Sequence, residues 1–145
     1  MLLFLYFIRL PVFQLTLNGQ IYYLRGETFQ LEWIHSVENE KWIEIYKRDK
    51  NQLLLTKTIL NTFGAGTPSD GKIIENTKEG VHMAVDRYLD EINLTVSDNV
   101  KTTIITSKEN VVPLYKLTDN YSNINITVTY VYLWEYLGGR QIDNR

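Results

Sequence analysis

The chain has 145 residues, of which 44% are hydrophobic, and its formal net charge at pH 7 is −2. These values fit one folded domain and exclude a disordered chain, and the lack of a basic surplus argues against a nucleic-acid partner. The chain has no cysteine, which excludes disulfides, thiol nucleophiles and cysteine-ligated zinc or iron–sulfur sites.

The first segment, residues 1–12, is hydrophobic, and its apolar run from Met1 to Ile8 is interrupted by Arg9. A bilayer-spanning helix needs about 20 apolar residues, and no basic residue precedes the run as in a signal peptide. Two interpretations stay open: the segment is the remnant of a signal or anchor, or it is the first strand of the core. The first predicts an extracytoplasmic, exported or membrane-associated protein, and a cytoplasmic location is the alternative.

Residues 13–137 are predicted to form a β domain, because short stretches of β-branched and aromatic residues alternate with turn residues. The first hairpin turns at Asn18-Gly19, a dipeptide that accepts the positive φ of tight turns. The predicted strands are residues 13–18, 21–24, 28–37, 42–48, 53–63, 72–76, 81–85, 91–97, 101–107 and 123–134. Residues 79–91 could instead hold a helical turn, and the polar tail 138–145 is expected to be frayed. The pattern predicts an all-β, single-domain antiparallel β-sandwich or a partly open barrel.

One predicted hairpin carries His35-Ser36-Val37-Glu38 before its turn and Glu44 after it. A turn within residues 38–41 gives a register in which paired residue numbers sum to 79, so that His35 faces Glu44. A carboxylate at that distance favours the protonated imidazole. In the next hairpin a turn at Lys50-Asn51 makes the pairs sum to 101, which places Lys57 beside Glu44.

A glycine-containing segment, Phe63-Gly64-Ala65-Gly66-Thr67-Pro68, is predicted to hang from the same end of the sheet. Glycine permits positive φ or a close backbone approach, and exposed amides in such a turn can bind an anion. The two segments form either a small polar binding site or a structural corner in which His35 is satisfied by a carboxylate. The candidate residues are His35, Ser36, Glu38, Glu44, Phe63, Gly64, Ala65, Gly66 and Pro68.

Enzyme chemistry is not indicated by these residues. His35 and Ser36 are neighbours on a predicted strand and point to opposite faces, which excludes a direct Ser–His dyad. A metal site built from His82, His35 and the nearby glutamates would lack a recognised ligand spacing. The segment Gly64–Gly66 lacks the lysine of a P-loop and the third glycine of a dinucleotide fingerprint. We therefore predict a protein that is not an enzyme and has no cofactor.

Together, His35-Ser36-Val37-Glu38, Glu44 and Phe63–Pro68 resemble the hallmarks of the domain-of-unknown-function family 1850, over about residues 11–131. Members of that family are short bacterial proteins with a hydrophobic N-terminus. The resemblance implies an association with TRAP transporters of the TAXI type, in which an extracytoplasmic receptor and ion-driven membrane subunits import small carboxylates. It assigns no catalytic residue, and Thr67 departs from the leucine that is common in the family.

The resemblance thus implies a non-catalytic extracytoplasmic accessory domain whose partners are the receptor or the membrane subunits of such a transporter. Two other classes of function stay open. One is an independent domain that binds a small ligand or an envelope protein, which would need a concave apolar pocket. The other is a hydrolase, which would need a nucleophile or water beside His35.

Overall fold

The chain folds into two packed sheets in a computed structural model that describes residues 6–142. A 3-10 turn spans Leu114–Lys116, and one helix, α1, spans Leu133–Gly138. The strands are β1 (Arg9–Leu17), β2 (Gln20–Leu24), β3 (Thr28–Ile34), β4 (Lys41–Asp49), β5 (Gln52–Leu60), β6 (Lys72–Thr77), β7 (Gly80–Leu89), β8 (Glu91–Val96), β9 (Thr103–Thr106), β10 (Val111–Pro113), β11 (Ser122–Tyr132) and β12 (Arg140–Gln141).

The smaller sheet has the order β12-β2-β1-β11-β8 and the larger has the order β10-β9-β3-β4-β5-β7-β6. All pairings are antiparallel except that of β12 with β2. Alternate residues of both sheets face inward, and the ring of Phe13 meets that of Phe29 edge to face at 4.8 Å between centroids. The prediction of an all-β sandwich is confirmed.

Two predicted turns are present. Asn18 and Gly19 have φ of 48° and 73°, and Leu17 pairs with Gln20 across them. The turn at Lys50-Asn51 pairs Asp49 with Gln52. The helical turn considered for residues 79–91 is absent, because Gly80–Leu89 is a strand whose alternate residues enter the core.

Both termini contribute to the sandwich. Strand β1 starts at Arg9, and Val12 is fully buried, so residues 9–12 belong to the sheet. The expectation of a frayed tail is wrong for residues 140–142, because β12 pairs with β2 and Ile142 is fully buried. Residues 1–5 and 143–145 lie outside the described residues, and within residues 6–142 no helix has the length and apolarity needed to cross a bilayer.

The predicted register of the β3–β4 hairpin is wrong. Trp33 pairs with Trp42, and Leu31 pairs with Glu44, so paired residue numbers sum to 75 and His35 does not face Glu44. The turn is longer than predicted, because residues 35–40 form a loop. Two backbone hydrogen bonds close it, from the His35 amide to the Glu40 carbonyl at 2.8 Å and from the Asn39 amide to the His35 carbonyl at 2.9 Å.

Candidate functional site

The loop between β3 and β4 is joined to the glycine segment by His35. Its Nδ1 forms an ion pair with Glu38, and its Nε2 lies 3.1 Å from the Ala65 carbonyl oxygen. Nδ1 thus faces a carboxylate and Nε2 faces a carbonyl oxygen, so the ring bridges the two segments. The ring also stacks on Trp42 at 4.6 Å between centroids, with 25° between the planes. We call His35, Glu38, Trp42 and residues 64–66 the motif corner.

The two glycines of the motif corner are required for different reasons. At Gly64 the space that a Cβ would occupy is filled by the Glu38 carboxylate, so a side chain there would displace the partner of His35. Gly64 is not in the positive-φ region, whereas Gly66 has φ of 91°. The Thr67 hydroxyl closes the segment by donating to the Gly64 carbonyl at 2.9 Å and accepting from the Gly64 amide at 3.0 Å.

The remaining candidates near the motif corner do not contact His35 among the described interactions. Pro68 is buried, whereas Ser36 and Phe63 are exposed. Phe63 exposes 57% of its surface and Val37 exposes 76%. The motif corner therefore carries two apolar side chains on its exterior, and in its interior the buried indole N–H of Trp42 has no hydrogen-bond partner among the described residues.

Glu44, which was predicted to be the partner of His35, lies elsewhere. It is on the inner face of β4, between Trp42 and Tyr46, where burial raises the pKa of its carboxyl group. The Tyr46 hydroxyl donates to Glu44 Oε2 at 2.5 Å, which opposes that rise in pKa without cancelling it. Burial and the neighbouring Glu44 also raise the pKa of the Tyr46 hydroxyl, so Tyr46 remains a donor.

The predicted neighbour Lys57 is also displaced, by one position. The numbers of paired residues of β4 and β5 sum to 101 from the turn to Tyr46. A β-bulge between Tyr46 and Ile45 changes the sum to 102, so that Thr58 faces Glu44. Thr58 is fully buried, and its hydroxyl has no hydrogen-bond partner among the described residues. Glu44 therefore lies beside the hydroxyl groups of Tyr46 and Thr58, and its predicted partners His35 and Lys57 do not face it.

Two tryptophans connect the motif corner to Glu44. Trp33 and Trp42 are directly opposed on β3 and β4, with ring centroids 6.0 Å apart. Trp42 contacts His35 on the side of the motif corner, and Trp33 packs toward the main core. The sequence contained a signal for this arrangement, since Trp42, Glu44 and Tyr46 have the spacing of one strand face, but the expected pairing with His35 hid it.

The described residues contain no metal-binding cluster, and no hydroxyl group contacts His35. Across residues 6–142, no group of three or more His, Asp or Glu side chains could hold a metal ion. His82 lies on β7, where its Nε2 is 3.4 Å from the Thr77 hydroxyl, apart from the motif corner. The partners of the His35 ring nitrogens are a carboxylate, a carbonyl and the Val37 amide, and no hydroxyl group is among them.

Comparison with known proteins gives one match. The family model described as "Domain of unknown function (DUF1850)" matches residues 29–114, more than half of the chain. This stretch includes the whole motif corner and Glu44. A search of the curated proteins found no match, and neither did a search of the solved structures.

Proposed function

The chain belongs to the family of the domain of unknown function DUF1850, and from this membership we propose that it is a non-catalytic, extracytoplasmic accessory domain of a TAXI-type TRAP transporter. The observation that carries the proposal is the separation of two surfaces on one rigid sandwich. One surface is suited to a membrane and the other to a protein partner. A binding role without chemistry agrees with a histidine, His35, whose ring nitrogens lie against a carboxylate and a carbonyl of the same domain.

The membrane-facing surface in this proposal is the end where β1 begins and β11 ends, which we call the aromatic end. The carbonyl of Ile8 accepts a 2.9 Å hydrogen bond from the Leu133 amide, so the apolar N-terminal segment adjoins α1. The Trp134 ring stacks on Tyr132 at 5.9 Å, and the guanidinium of Arg9 lies 4.6 Å from the centre of the same Tyr132 ring. Aromatic rings with basic neighbours are typical of membrane interfaces.

The side chains at the aromatic end are well exposed. The exposed fractions are 66% for Tyr6, 75% for Phe7, 52% for Trp134 and 69% for Leu137. Such a group of apolar side chains is costly in water and is stabilised at the boundary of a lipid phase. It supports a position at the outer face of the membrane, with the exposed Tyr6 and Phe7 on the bilayer side.

The protein-facing surface in this proposal is the motif corner, at the opposite end of β4. Strand β4 starts beside the motif corner at Lys41 and ends near β1, where Arg48 donates to the Pro11 carbonyl at 2.9 Å. Nine residues of strand span about 30 Å. The exposed Val37 and Phe63 would therefore stand away from the membrane, in reach of the transporter's extracytoplasmic receptor rather than its membrane subunits.

Co-purification tests this contact. Tagged full-length chain is expected to retain the receptor of its transporter, and Val37→Ser combined with Phe63→Ser is expected to lose it, because the apolar anchors of an interface carry most of its affinity. Val111→Ser is the matched control, since Val111 is 64% exposed on β10, away from the motif corner. Failure of the unaltered chain to retain any transporter subunit would contradict the proposal.

Vesicle binding tests the membrane side separately. Trp134→Ser with Leu137→Ser is expected to reduce co-sedimentation with anionic vesicles, whereas Tyr121→Ser, which replaces another exposed aromatic residue, is expected to leave it unchanged. Equal sedimentation of both variants would contradict a membrane role for the aromatic end.

A further inference from the structure

A cavity of about 270 Å³ lies between the two sheets, on the side of Trp33 away from the motif corner. Its walls come from β3 and β4 of the larger sheet, from β8 of the smaller sheet, and from the segment that leads into β9. They are mostly apolar, with Leu31, Trp33, Ile92, Leu94 and Val100 as the main contributors. Thr95, at its margin, is exposed, so the cavity opens to solvent beside β8.

Glu44 is the only ionisable group that lines this cavity within the described residues. Its carboxylate has the Tyr46 hydroxyl as a donor but forms no salt bridge with any described side chain. Arg87 is the one cation that acts on it electrostatically, and that guanidinium is paired with Asp70. The cavity therefore contains a desolvated acid whose charge is only partly compensated, by a guanidinium that is already paired with another carboxylate.

An acid without a salt bridge in an apolar cavity is costly, because transfer from water disfavours its ionised form. Burial indeed raises the pKa of Glu44. A cation in the cavity would remove this cost by pairing with the carboxylate, and an aromatic wall adds to the attraction of a cation. The apolar walls require that the rest of such a molecule be hydrocarbon.

We propose that this cavity binds a small organic ammonium ion, a primary amine with an apolar body, whose nitrogen pairs with Glu44 beside Trp33. The volume lies just below the range of about 300–1,000 Å³ that is typical for small-molecule sites, which limits the ligand to a compact molecule. The proposal stands on the cavity alone and is independent of the association with a transporter.

The probes are three molecules of similar shape and different charge: 2-phenylethylamine, the neutral 2-phenylethanol and the anionic 3-phenylpropionate. Linear and branched primary amines of five to eight carbons complete the set. Binding to the full chain is measured at pH 7 by calorimetry and by NMR shifts of the Leu31, Ile92 and Leu94 methyl groups. At least one amine is expected to bind and to shift those methyls, and the alcohol and the acid of matching shape are expected to bind more weakly.

Two variants assign the interaction. Glu44→Gln keeps the shape of the side chain and is expected to weaken amine binding about 10- to 100-fold, the range for loss of a hydrogen bond to a charged group. Trp33→Leu is expected to weaken amine binding and to leave binding of the alcohol less affected. Glu79→Gln, in the exposed β6–β7 turn, is the control and is expected to change nothing. Circular dichroism verifies that each variant is folded.

The proposal is overturned if no amine binds, if Glu44→Gln binds the amine as tightly as the unaltered chain, or if 3-phenylpropionate binds more tightly than the amine. The last result would identify Glu44 as a protonated donor to an anionic ligand.

Discussion

Glu38 and Glu44 belong to the same strand–loop–strand unit, yet Glu38 has an ion-pair partner and Glu44 has none among the described residues. Glu38 is paired with His35, which belongs to the same loop and is held in place by Trp42 and Ala65. Glu44 lies two positions beyond Trp42, against Tyr46, and forms no salt bridge with a described side chain, although the Arg87 guanidinium acts on it electrostatically. One carboxylate is paired within its own loop, and the other is buried without a salt bridge to any described side chain.

This difference indicates how the motif residues divide their roles. Within the motif corner His35 stacks on Trp42. Trp42 in turn packs against Trp33, which forms a wall of the cavity that contains Glu44. His35 thus lies on the Trp42 side of the tryptophan pair, and Glu44 lies in the cavity on the Trp33 side. Substitutions on the His35 side should reduce stability, whereas substitution of Glu44 should increase it, and the following tests separate the two.

The largest effect is expected for Gly64→Val. The new side chain would occupy the space of the Glu38 carboxylate and break its ion pair with His35, which should lower the free energy of unfolding by about 3 kcal/mol. Chemical denaturation measures the change. Gly138→Val is the control, because nothing lies within 4 Å of a Cβ at that position. If Gly64→Val costs no more than the control, the close packing of the motif corner is not as described.

Loss of the ion pair between His35 and Glu38 should lower the free energy of unfolding by less than Gly64→Val does. The side chains of both residues are largely buried, with 15% and 20% exposed, so His35→Ala should cost about 2 kcal/mol by leaving a carboxylate without its partner. A double-mutant cycle with Glu38→Ala should show that the two losses are not additive. Additive losses would mean that the two side chains do not interact.

The smallest effect, and the one of opposite sign, is expected for Glu44→Gln. Because burial raises the pKa of Glu44 above its ordinary value of 4.5, the folded chain holds this proton to higher pH than the unfolded chain does. Stability should therefore fall as pH rises from 4.5 through the raised pKa. Glu44→Gln removes that loss and should add about 1 kcal/mol at pH 7, with no gain below pH 4. Thermal unfolding across pH measures both, and a destabilised variant at pH 7 would contradict the interpretation.

Part of this arrangement could be predicted from the sequence. The alternation of apolar residues and the turn residues Asn18-Gly19 and Lys50-Asn51 led to the correct fold class and to two correct turns. The proximity of His35 to the segment Gly64–Gly66 was also expected, and the structure brings His35 against Ala65. These features depend on local chemistry, which a single sequence displays.

The register of the β3–β4 hairpin was predicted wrongly because the residue pattern is compatible with two registers. Registers that sum to 75 and to 79 place the same residues of β3 and β4 on the inner face, so the hydrophobic pattern cannot distinguish them. The length of the loop determines which register forms. The loop of residues 35–40 is closed by backbone hydrogen bonds of His35 with Glu40 and Asn39, and backbone bonds of this kind cannot be recognised from residue types. The bulge that replaces Lys57 with Thr58 opposite Glu44, and the burial of Ile142 at the end of β12, likewise depend on tertiary packing.

The availability of the Glu44 carboxylate is tested most directly by an NMR titration of its side-chain carboxyl carbon in the unaltered chain. The expected result is a midpoint above 4.5, the ordinary value for glutamate, because burial disfavours the ionised form more than the Tyr46 hydroxyl and the Arg87 guanidinium favour it. A midpoint at or below 4.5 would mean that the fold already satisfies this charge, and the contrast between Glu38 and Glu44 would be lost.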